Sequence, residues 1–243
     1  MNLRKFTKTE IICLIFAFAF AISTAVLSIC LFTKKDEAAE PSYYEEKCNV
    51  FELENTNFSH GQIVFIGDSI TDGCALDSYY SDLPLATYNR GIGGDNTSGV
   101  LDRLKISLFD IKPSKIVLLI GVNDINGNRS KSEVINNYRN ILSEISSNLP
   151  DTHVFCVSIL PLNKSLENYT HINVEKSTEI ILETNPEIEK LAREFDYTYV
   201  DVFSDFADES NLLIENLSVD GIHLNHNGYI LYSQKLKPLL AQK

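Results

Sequence analysis

Short apolar runs alternate with longer amphipathic stretches from about residue 63 to the C-terminus. The apolar runs are typical of buried β-strands and lie at Ile63–Ile66, Ala86–Asn89, Lys115–Ile120, His153–Ile159 and Tyr197–Val202. The amphipathic stretches predict helices at Thr97–Leu108, Lys131–Asn148, Val174–Glu194 and Asn227–Leu240. Nearly continuous apolar strands separated by helices favour a parallel sheet covered on both faces. The pattern therefore predicts a three-layer α/β domain.

A separate apolar segment precedes this domain. Residues 11–32 form a run of 22 residues without a charge, which as a helix spans roughly 33 Å and matches a hydrocarbon core of about 30 Å. Three basic residues, Arg4, Lys5 and Lys8, lie in front of it. The length favours an uncleaved single-pass transmembrane anchor, with the N-terminus inside and the main domain extracytoplasmic. The alternative is a signal peptide cleaved near residues 23–25, which would release a secreted protein.

The segments of the chain differ in charge. We predict a basic N-terminal flank (1–10), the anchor (11–32), an acidic stalk (33–59) and one catalytic domain (60–243). Beyond residue 35 the chain carries 16 Lys and Arg against 32 Asp and Glu. So acidic a domain is a poor candidate for binding nucleic acid or an anionic lipid surface. The cysteines outside the apolar segment, Cys48, Cys74 and Cys156, have no CxxC spacing and predict neither a disulfide framework nor a zinc site.

Polar, glycine-bearing loops follow the first three predicted strands. They are Gly67-Asp68-Ser69, the stretch 90–99 (RGIGGDNTSG) and the stretch 121–124 (GVND); a fourth polar stretch, 218–228 (SVDGIHLNHNG), precedes the last helix. Because the carboxyl ends of parallel strands meet at one edge of a sheet, we expect these loops to converge there.

The residue types in these loops suit nucleophilic catalysis. A serine hydroxyl becomes a good nucleophile when an imidazole takes its proton and a carboxylate holds the other ring nitrogen. Asp220 and His223, three residues apart, can supply that pair to Ser69. The backbone amides of Ser69 and Gly94 and the side-chain amide of Asn123 can supply donors to an oxyanion.

These blocks, in order, resemble the SGNH or GDSL-type esterase/lipase family. The resemblance rests on Gly-Asp-Ser-Ile, Gly-Ile-Gly-Gly-Asp, Gly-Val-Asn-Asp and Asp-Gly-Ile-His-Leu, and it covers about three quarters of the chain. It implies a flavodoxin-like α/β/α fold and serine hydrolysis of esters without a cofactor or metal. The implied roles are nucleophile and first oxyanion donor for Ser69, second donor for Gly94, third donor for Asn123, base for His223 and orienter of the base for Asp220.

Other interpretations of the same residues stay open at this stage. Asp68, Asp72, Asp124, Asp220 and His223 could instead surround a divalent ion in a metal-dependent hydrolase, although no HExxH spacing is present and Ser69 would then have no role. A non-catalytic binding module on a hydrolase scaffold is a second alternative. Acyl transfer to an alcohol by the same acyl-enzyme is a third.

The substrate is defined only as a class. We expect a small-molecule, glycan or lipid ester, with acyl length and alcohol selected by the loops 74–85 and 161–170. In the second loop block Gly93 adjoins Gly94, so a slip of one residue would exchange their roles. No feature of the sequence indicates an oligomeric state.

Overall fold

The computed structural model describes residues 7–10, 16–20, 22–24, 41–163 and 171–242. The predicted anchor, 11–32, and the start of the predicted stalk lie mostly outside these residues. Within the described residues, no helix is both long and apolar enough to cross a membrane.

Five parallel strands form one sheet in the order β2-β1-β3-β4-β5. Their bounds are β1 (Ile63–Gly67), β2 (Thr87–Gly91), β3 (Lys115–Leu119), β4 (His153–Val157) and β5 (Thr198–Val200). The predicted parallel α/β fold is confirmed, and the strand order is that of flavodoxin-like proteins. Gly67 at the end of β1 pairs with Gly91 of β2 and Leu119 of β3, so the loops that follow these strands leave the sheet side by side.

The helices complete the α/β alternation. They are α1 (Tyr43–Asn55), α2 (Ser69–Asp72), α3 (Leu76–Tyr80), α4 (Thr97–Asp102), α5 (Val122–Asn126), α6 (Lys131–Asn148), α7 (Val174–Glu194), α8 (Phe203–Phe206) and α9 (His226–Leu240), with a π-helix at Lys105–Phe109 and a 3-10 helix at Glu215–Leu217. Helices α6 and α7 have the predicted bounds. The single helix predicted over 97–108 is wrong, because Arg103 leaves the α-helical conformation (φ −108°, ψ 12°) and separates α4 from the π-helix.

Both faces of the sheet are buried, because successive side chains of a strand point to opposite sides. In β1, Val64 and Ile66 pack with the side chains of α4, α6 and α7. Ile63 and Phe65 pack on the opposite face with α3 and α9. Each such side chain contributes about 1.5–3 kcal/mol when it is removed from water. Helices thus cover both faces, which gives the three layers that the pattern predicts.

Helix α1 lies within the predicted stalk and begins the compact unit that contains the sheet. Its contact with the sheet centres on Arg90, whose guanidinium lies 4.5 Å from the ring centroid of Phe51 and 4.7 Å from that of Phe58. Arg90 Nη1 also donates to Glu54 Oε2 at 2.6 Å. An acidic helix with one fully buried apolar residue, Phe51, is therefore packed on the domain through a buried cation.

Candidate active site

A continuous hydrogen-bonded chain joins Ser69, His223 and Asp220. His223 Nε2 lies 2.8 Å from Ser69 Oγ, and His223 Nδ1 lies 2.7 Å from Asp220 Oδ2. Because a carboxylate only accepts, the Nδ1–H donates to Asp220, and Nε2 is left to accept the proton of the Ser69 hydroxyl. The three side chains therefore have the geometry of a serine nucleophile, a base and an orienting carboxylate.

The strand-to-helix turn after β1 frees the Ser69 hydroxyl for this contact. Asp68, rather than Ser69, caps α2: its Oδ1 accepts the backbone N–H of Ile70 at 3.0 Å. Ser69 is the first residue of α2, and its side chain is half-buried at the edge of the sheet. The capping role that a serine often plays in such a turn thus belongs to its neighbour.

The loop before α9 holds Asp220 and His223, the other two residues of the hydrogen-bonded chain, at a fixed spacing. Ser218 Oγ donates to the carbonyl of His223 at 2.8 Å and accepts the backbone N–H of Gly221 at 2.7 Å. Asp220 Oδ1 accepts the backbone N–H groups of Ile222 at 3.0 Å and His223 at 2.8 Å. These bonds close the loop on itself, so the carboxylate and the imidazole are held together by local contacts.

The glycine loop after β2 makes a tight turn. The carbonyl of Ile92 accepts the backbone N–H of Asp95 at 3.1 Å, and Gly94, the third residue of the turn, has φ +78°. A turn with positive φ at this position favours glycine. The backbone N–H of Gly93 donates to Asp72 Oδ2 at 2.9 Å, whereas Gly94 lines the cleft beside Ser69. The adjacent glycines thus have different surroundings, with Gly94 the one at the cleft.

Helix α5, which follows β3, places Asn123 at the same cleft. Asn123 Nδ2 donates to the carbonyl of Asp95 at 2.8 Å. The next residue, Asp124, is buried, and its carboxylate accepts both the backbone N–H of Thr97 at 2.9 Å and the Thr97 hydroxyl at 2.7 Å. These contacts join α5 to the glycine loop and to the first residue of α4.

Sequence reasoning missed a buried ion pair behind the site. Arg103 Nε lies 2.8 Å from Asp95 Oδ2, and both side chains are at most 2% exposed. The same guanidinium donates to the carbonyls of Gly67 at 3.0 Å and Arg90 at 2.8 Å. Arg103 therefore ties the ends of β1 and β2 to the glycine loop. The sequence feature that could have identified this pair is the charged Arg103 between the apolar residues 100 and 104 of the predicted helical stretch 97–108.

Of the five predicted site residues, all but Asp220 line one cleft of about 460 Å³. Its lining residues are Ser69, Gly94, Asn123, Asn126, Gly127, His171, Ile172, Ile222 and His223. The loop 74–85, which we expected to select the substrate, contributes none of them. Of the second such loop, residues 164–170 lie outside the described residues.

Two carboxyl groups near Ser69 have opposite pKa shifts. Burial raises the pKa of Asp220, but hydrogen bonds from the His223 ring and from the backbone N–H groups of His223 and Ile222 outweigh it, so the pKa is lowered. Burial raises the pKa of Asp68 to about 7, and the hydrogen bond from Ile70 offsets only part of this effect. Asp220 is therefore ionised at neutral pH, as an orienter of the imidazole must be.

The residues of the metal alternative have separate partners. Asp72 pairs with Lys47 at 2.7 Å, and Asp124 pairs with Arg129 at 3.2 Å besides its contacts to Thr97. In the part of the chain that the structure describes, no three His, Cys, Asp or Glu side chains converge as metal ligands. His226, three residues after His223, contacts the Tyr79 hydroxyl at 3.0 Å.

Comparison with known proteins places this geometry in a family. The model of the GDSL-like lipase/acylhydrolase family matches residues 65–231. Among curated proteins, the chain is 26% identical over 183 residues to the platelet-activating factor acetylhydrolase IB subunit alpha2 of Rattus norvegicus, an alignment that covers 74% of this chain and 76% of the relative.

Solved structures agree with the family match. A structure described as that of a platelet activating factor from Streptococcus pneumonia has a TM-score of 0.75 and 29% identity, and the alignment covers 90% of this chain and 99% of the other. The acetyl xylan esterase AlAXEase has a TM-score of 0.63 and 19% identity, with 73% of this chain and 98% of the other covered, and shares the fold.

Proposed function

Because the chain belongs to the GDSL-like lipase/acylhydrolase family, we propose that it is a serine esterase that hydrolyses short-chain carboxylic esters through an acyl-enzyme. The observation that carries the proposal is the hydrogen-bonded chain from Ser69 Oγ through His223 to Asp220. A binding module has no need of a serine aligned with a base and an orienting carboxylate.

Acylation begins at Ser69. His223 Nε2 takes the hydroxyl proton as Oγ attacks the ester carbonyl carbon, and Asp220 stabilises the imidazolium that forms. The carbonyl oxygen becomes an oxyanion, which accepts hydrogen bonds from the backbone N–H groups of Ser69 and Gly94 and from the Asn123 side chain. The proton on Nε2 then passes to the alkoxy oxygen of the leaving alcohol as its bond to the carbonyl carbon breaks.

Deacylation repeats the same steps with water. His223 Nε2 removes a proton from a water molecule, which attacks the acyl carbon of the ester on Ser69 Oγ. The second oxyanion uses the same donors, and the proton returns to Oγ as the acid leaves. The residues thus return to their starting state without a cofactor.

The proposed acyl group is acetyl or of similar size. Two similar proteins carry names that specify acetyl esters, the platelet-activating factor acetylhydrolase subunit and the acetyl xylan esterase. The cleft beside Ser69 combines two apolar side chains, Ile172 and Ile222, with polar residues such as Asn126 and His171. Such a lining suits a small acyl group on a polar alcohol better than a long alkyl chain. The alcohol is proposed to be a glycan hydroxyl or a lipid-like alcohol.

The test uses the full chain, purified in detergent, with p-nitrophenyl esters from acetate to palmitate and with EDTA present. We expect release that is fastest with acetate, survives the chelator and is lost in Ser69→Ala. Ser78→Ala, an exposed serine on α3, is the matched control and should retain the wild-type rate. A fluorophosphonate should add to the wild type and to Ser78→Ala, but not to Ser69→Ala. Release that persists in Ser69→Ala, or that EDTA abolishes, would overturn the mechanism.

The N-terminal run is proposed to anchor the enzyme with its catalytic domain outside the cytoplasm. Its support is the uncharged stretch 11–32 and, within it, the largely exposed side chains of Phe16, Phe18 and Phe20. The chain should sediment with membranes after a carbonate wash, and added protease should reach the domain in intact cells. If mass spectrometry of a soluble fraction instead finds a chain that begins near residue 26, the segment is a cleaved signal peptide.

A further inference from the structure

A carboxylate outside the predicted catalytic set connects α1 to the glycine loop. Asp72 is the last residue of α2, the helix that Ser69 begins. Its Oδ2 accepts the backbone N–H of Gly93 at 2.9 Å and the hydroxyl of Tyr43 at 2.5 Å, and its Oδ1 accepts from Lys47 Nζ at 2.7 Å. Asp72 therefore joins the nucleophile helix, the glycine loop and α1 at one point.

The contact lies one residue away from a proposed oxyanion donor. Because Gly93 and Gly94 are the two central residues of one tight turn, fixing the N–H of Gly93 restricts the rotation of the peptide that carries the Gly94 N–H. A Cβ added to Gly93 would lie 3.4 Å from the Tyr43 ring, so α1 also packs directly on the turn. A second bond, from the Tyr44 hydroxyl to the carbonyl of Gly99 at 3.0 Å, holds α1 to the far side of the loop.

The charges at this contact are balanced. A lone carboxylate beside a forming oxyanion would oppose it, and the ammonium of Lys47 neutralises that charge. Asp72 and Lys47 side chains are only 16% and 25% exposed, so solvent screens the pair less than a surface pair. Tyr43 keeps its proton, because its hydrogen bond to Asp72 and its partial burial raise the pKa of the phenol to about 12.

We propose that Asp72, together with Lys47 and Tyr43 of α1, positions the glycine loop so that the Gly94 N–H meets the oxyanion. Tyr43 and Lys47 precede residues 65–231, which the family model covers, so this control of the site comes from the segment in front of the family domain. The inference rests on the proposed function and adds to it a dependence of turnover on the docking of α1.

The competing explanation is that these contacts only attach α1 to the domain. Loss of the contacts would then lower stability, but each folded molecule would turn over at the wild-type rate. Positioning predicts a different result: kcat per folded molecule falls while KM changes little, because the Gly94 donor acts on the transition state.

The test compares full-length variants with p-nitrophenyl acetate at a temperature where circular dichroism shows each to be folded. Asp72→Ala should lower kcat about tenfold to a hundredfold, because a displacement of about 1 Å at a reacting centre can cost about a hundredfold. Lys47→Met should lower kcat about threefold to tenfold, and Lys47→Arg should restore most of it. Lys131→Met, which breaks an exposed ion pair with Glu183 at 2.6 Å, is the matched control and should not change kcat.

A second readout does not depend on turnover. The chain has 11 glycines, so labelling with [15N]glycine gives a simple amide spectrum in which Gly93 and Gly94 can be followed. Their signals should shift in Asp72→Ala and Lys47→Met and stay in place in Lys131→Met. Unchanged glycine signals, or a kcat that falls only with the folded fraction, would overturn the positioning role. Absence of Ser69-dependent turnover in the wild type would instead overturn the proposed function and leave the glycine signals to decide the positioning.

Discussion

Asn123 and Asp95 are joined by a hydrogen bond of 2.8 Å from one N–H of the Asn123 side chain to the Asp95 carbonyl, and among the residues that the structure describes the other N–H has no acceptor. The amide is therefore held in one orientation, and its second N–H is available to a ligand in the cleft that Asn123 lines. Asp95 in turn is fixed by its buried pair with Arg103. A donor fixed in this way costs little reorganisation when an oxyanion forms.

Asn123→Ala should lower kcat by roughly a hundredfold to a thousandfold, with little change in KM, because the lost hydrogen bond forms mainly in the transition state. Steady-state kinetics with p-nitrophenyl acetate measures both constants. Asn140→Ala, an exposed asparagine on α6, is the matched control and should have wild-type constants. A kcat within threefold of wild type in Asn123→Ala would remove the oxyanion role from this residue.

Asp220→Asn should lower kcat roughly ten-thousandfold, because an amide at this position favours the wrong tautomer of His223. The variant keeps an oxygen that can accept the N–H groups of residues 222 and 223, so the loop should stay folded. The measurement is kcat across pH 5 to 9 with the folded fraction checked by circular dichroism. Asp151→Asn, at an exposed aspartate, should behave as wild type; a loss of less than tenfold in Asp220→Asn would show that His223 is oriented by other contacts.

Gly→Ala substitutions at Gly94 and Gly61 distinguish a loss of stability caused by backbone strain from a loss of catalysis. Both have positive φ, +78° and +75°, and at both an added Cβ would have no heavy atom within 4 Å. Each Gly→Ala variant should lose about 1–2 kcal/mol of unfolding free energy, because the left-handed conformation is unfavourable for alanine. Only Gly94→Ala should also lose kcat, by about tenfold or more, because its peptide carries a proposed oxyanion donor. Urea unfolding and kinetics on both variants decide this; equal kcat in the two would contradict the role of Gly94.

Asp68 should make stability depend on pH. Burial raises its pKa from 3.8 to about 7 in the folded state, so the folded protein favours the protonated carboxyl. The associated stabilisation is complete below pH 4 and is lost as the pH rises through about 7; three pKa units correspond to roughly 4 kcal/mol. The pKa of Asp220 is lowered and has the opposite effect, but it is common to both proteins in the comparison below.

The substitution that tests this pH dependence is Asp68→Asn, because its side chain keeps an oxygen that accepts the Ile70 N–H but carries no charge that must be buried. Relative to wild type, the variant should gain stability as the pH rises from about 4 to about 7, and the difference should level off above that. Urea midpoints of both proteins across this range measure the difference. A difference that is constant with pH would show that the Asp68 carboxyl titrates normally.

The predictions from sequence succeeded where the physical cause is local. Strand β1 and helices α6 and α7 follow from the spacing of their own apolar side chains, and the Asp220–His223 spacing is held by bonds within one loop. Two of the sets of contacts that were missed join distant residues. Arg90 lies 36 positions after its partner Glu54, and the Asp72 carboxylate contacts helix α1 across 25 and 29 positions. A buried charge is stable only with such a partner, and the pattern of apolar positions along one segment does not identify the partner.

The separation of Ser69 from His223 by 154 positions has a consequence for biosynthesis. Because synthesis runs from the N-terminus, the serine leaves the ribosome 154 residues before the imidazole. A nascent chain that ends before residue 223 therefore cannot form the hydrogen-bonded chain at Ser69. A fragment left by premature termination before that residue contains the serine without its proposed base and should have no esterase activity.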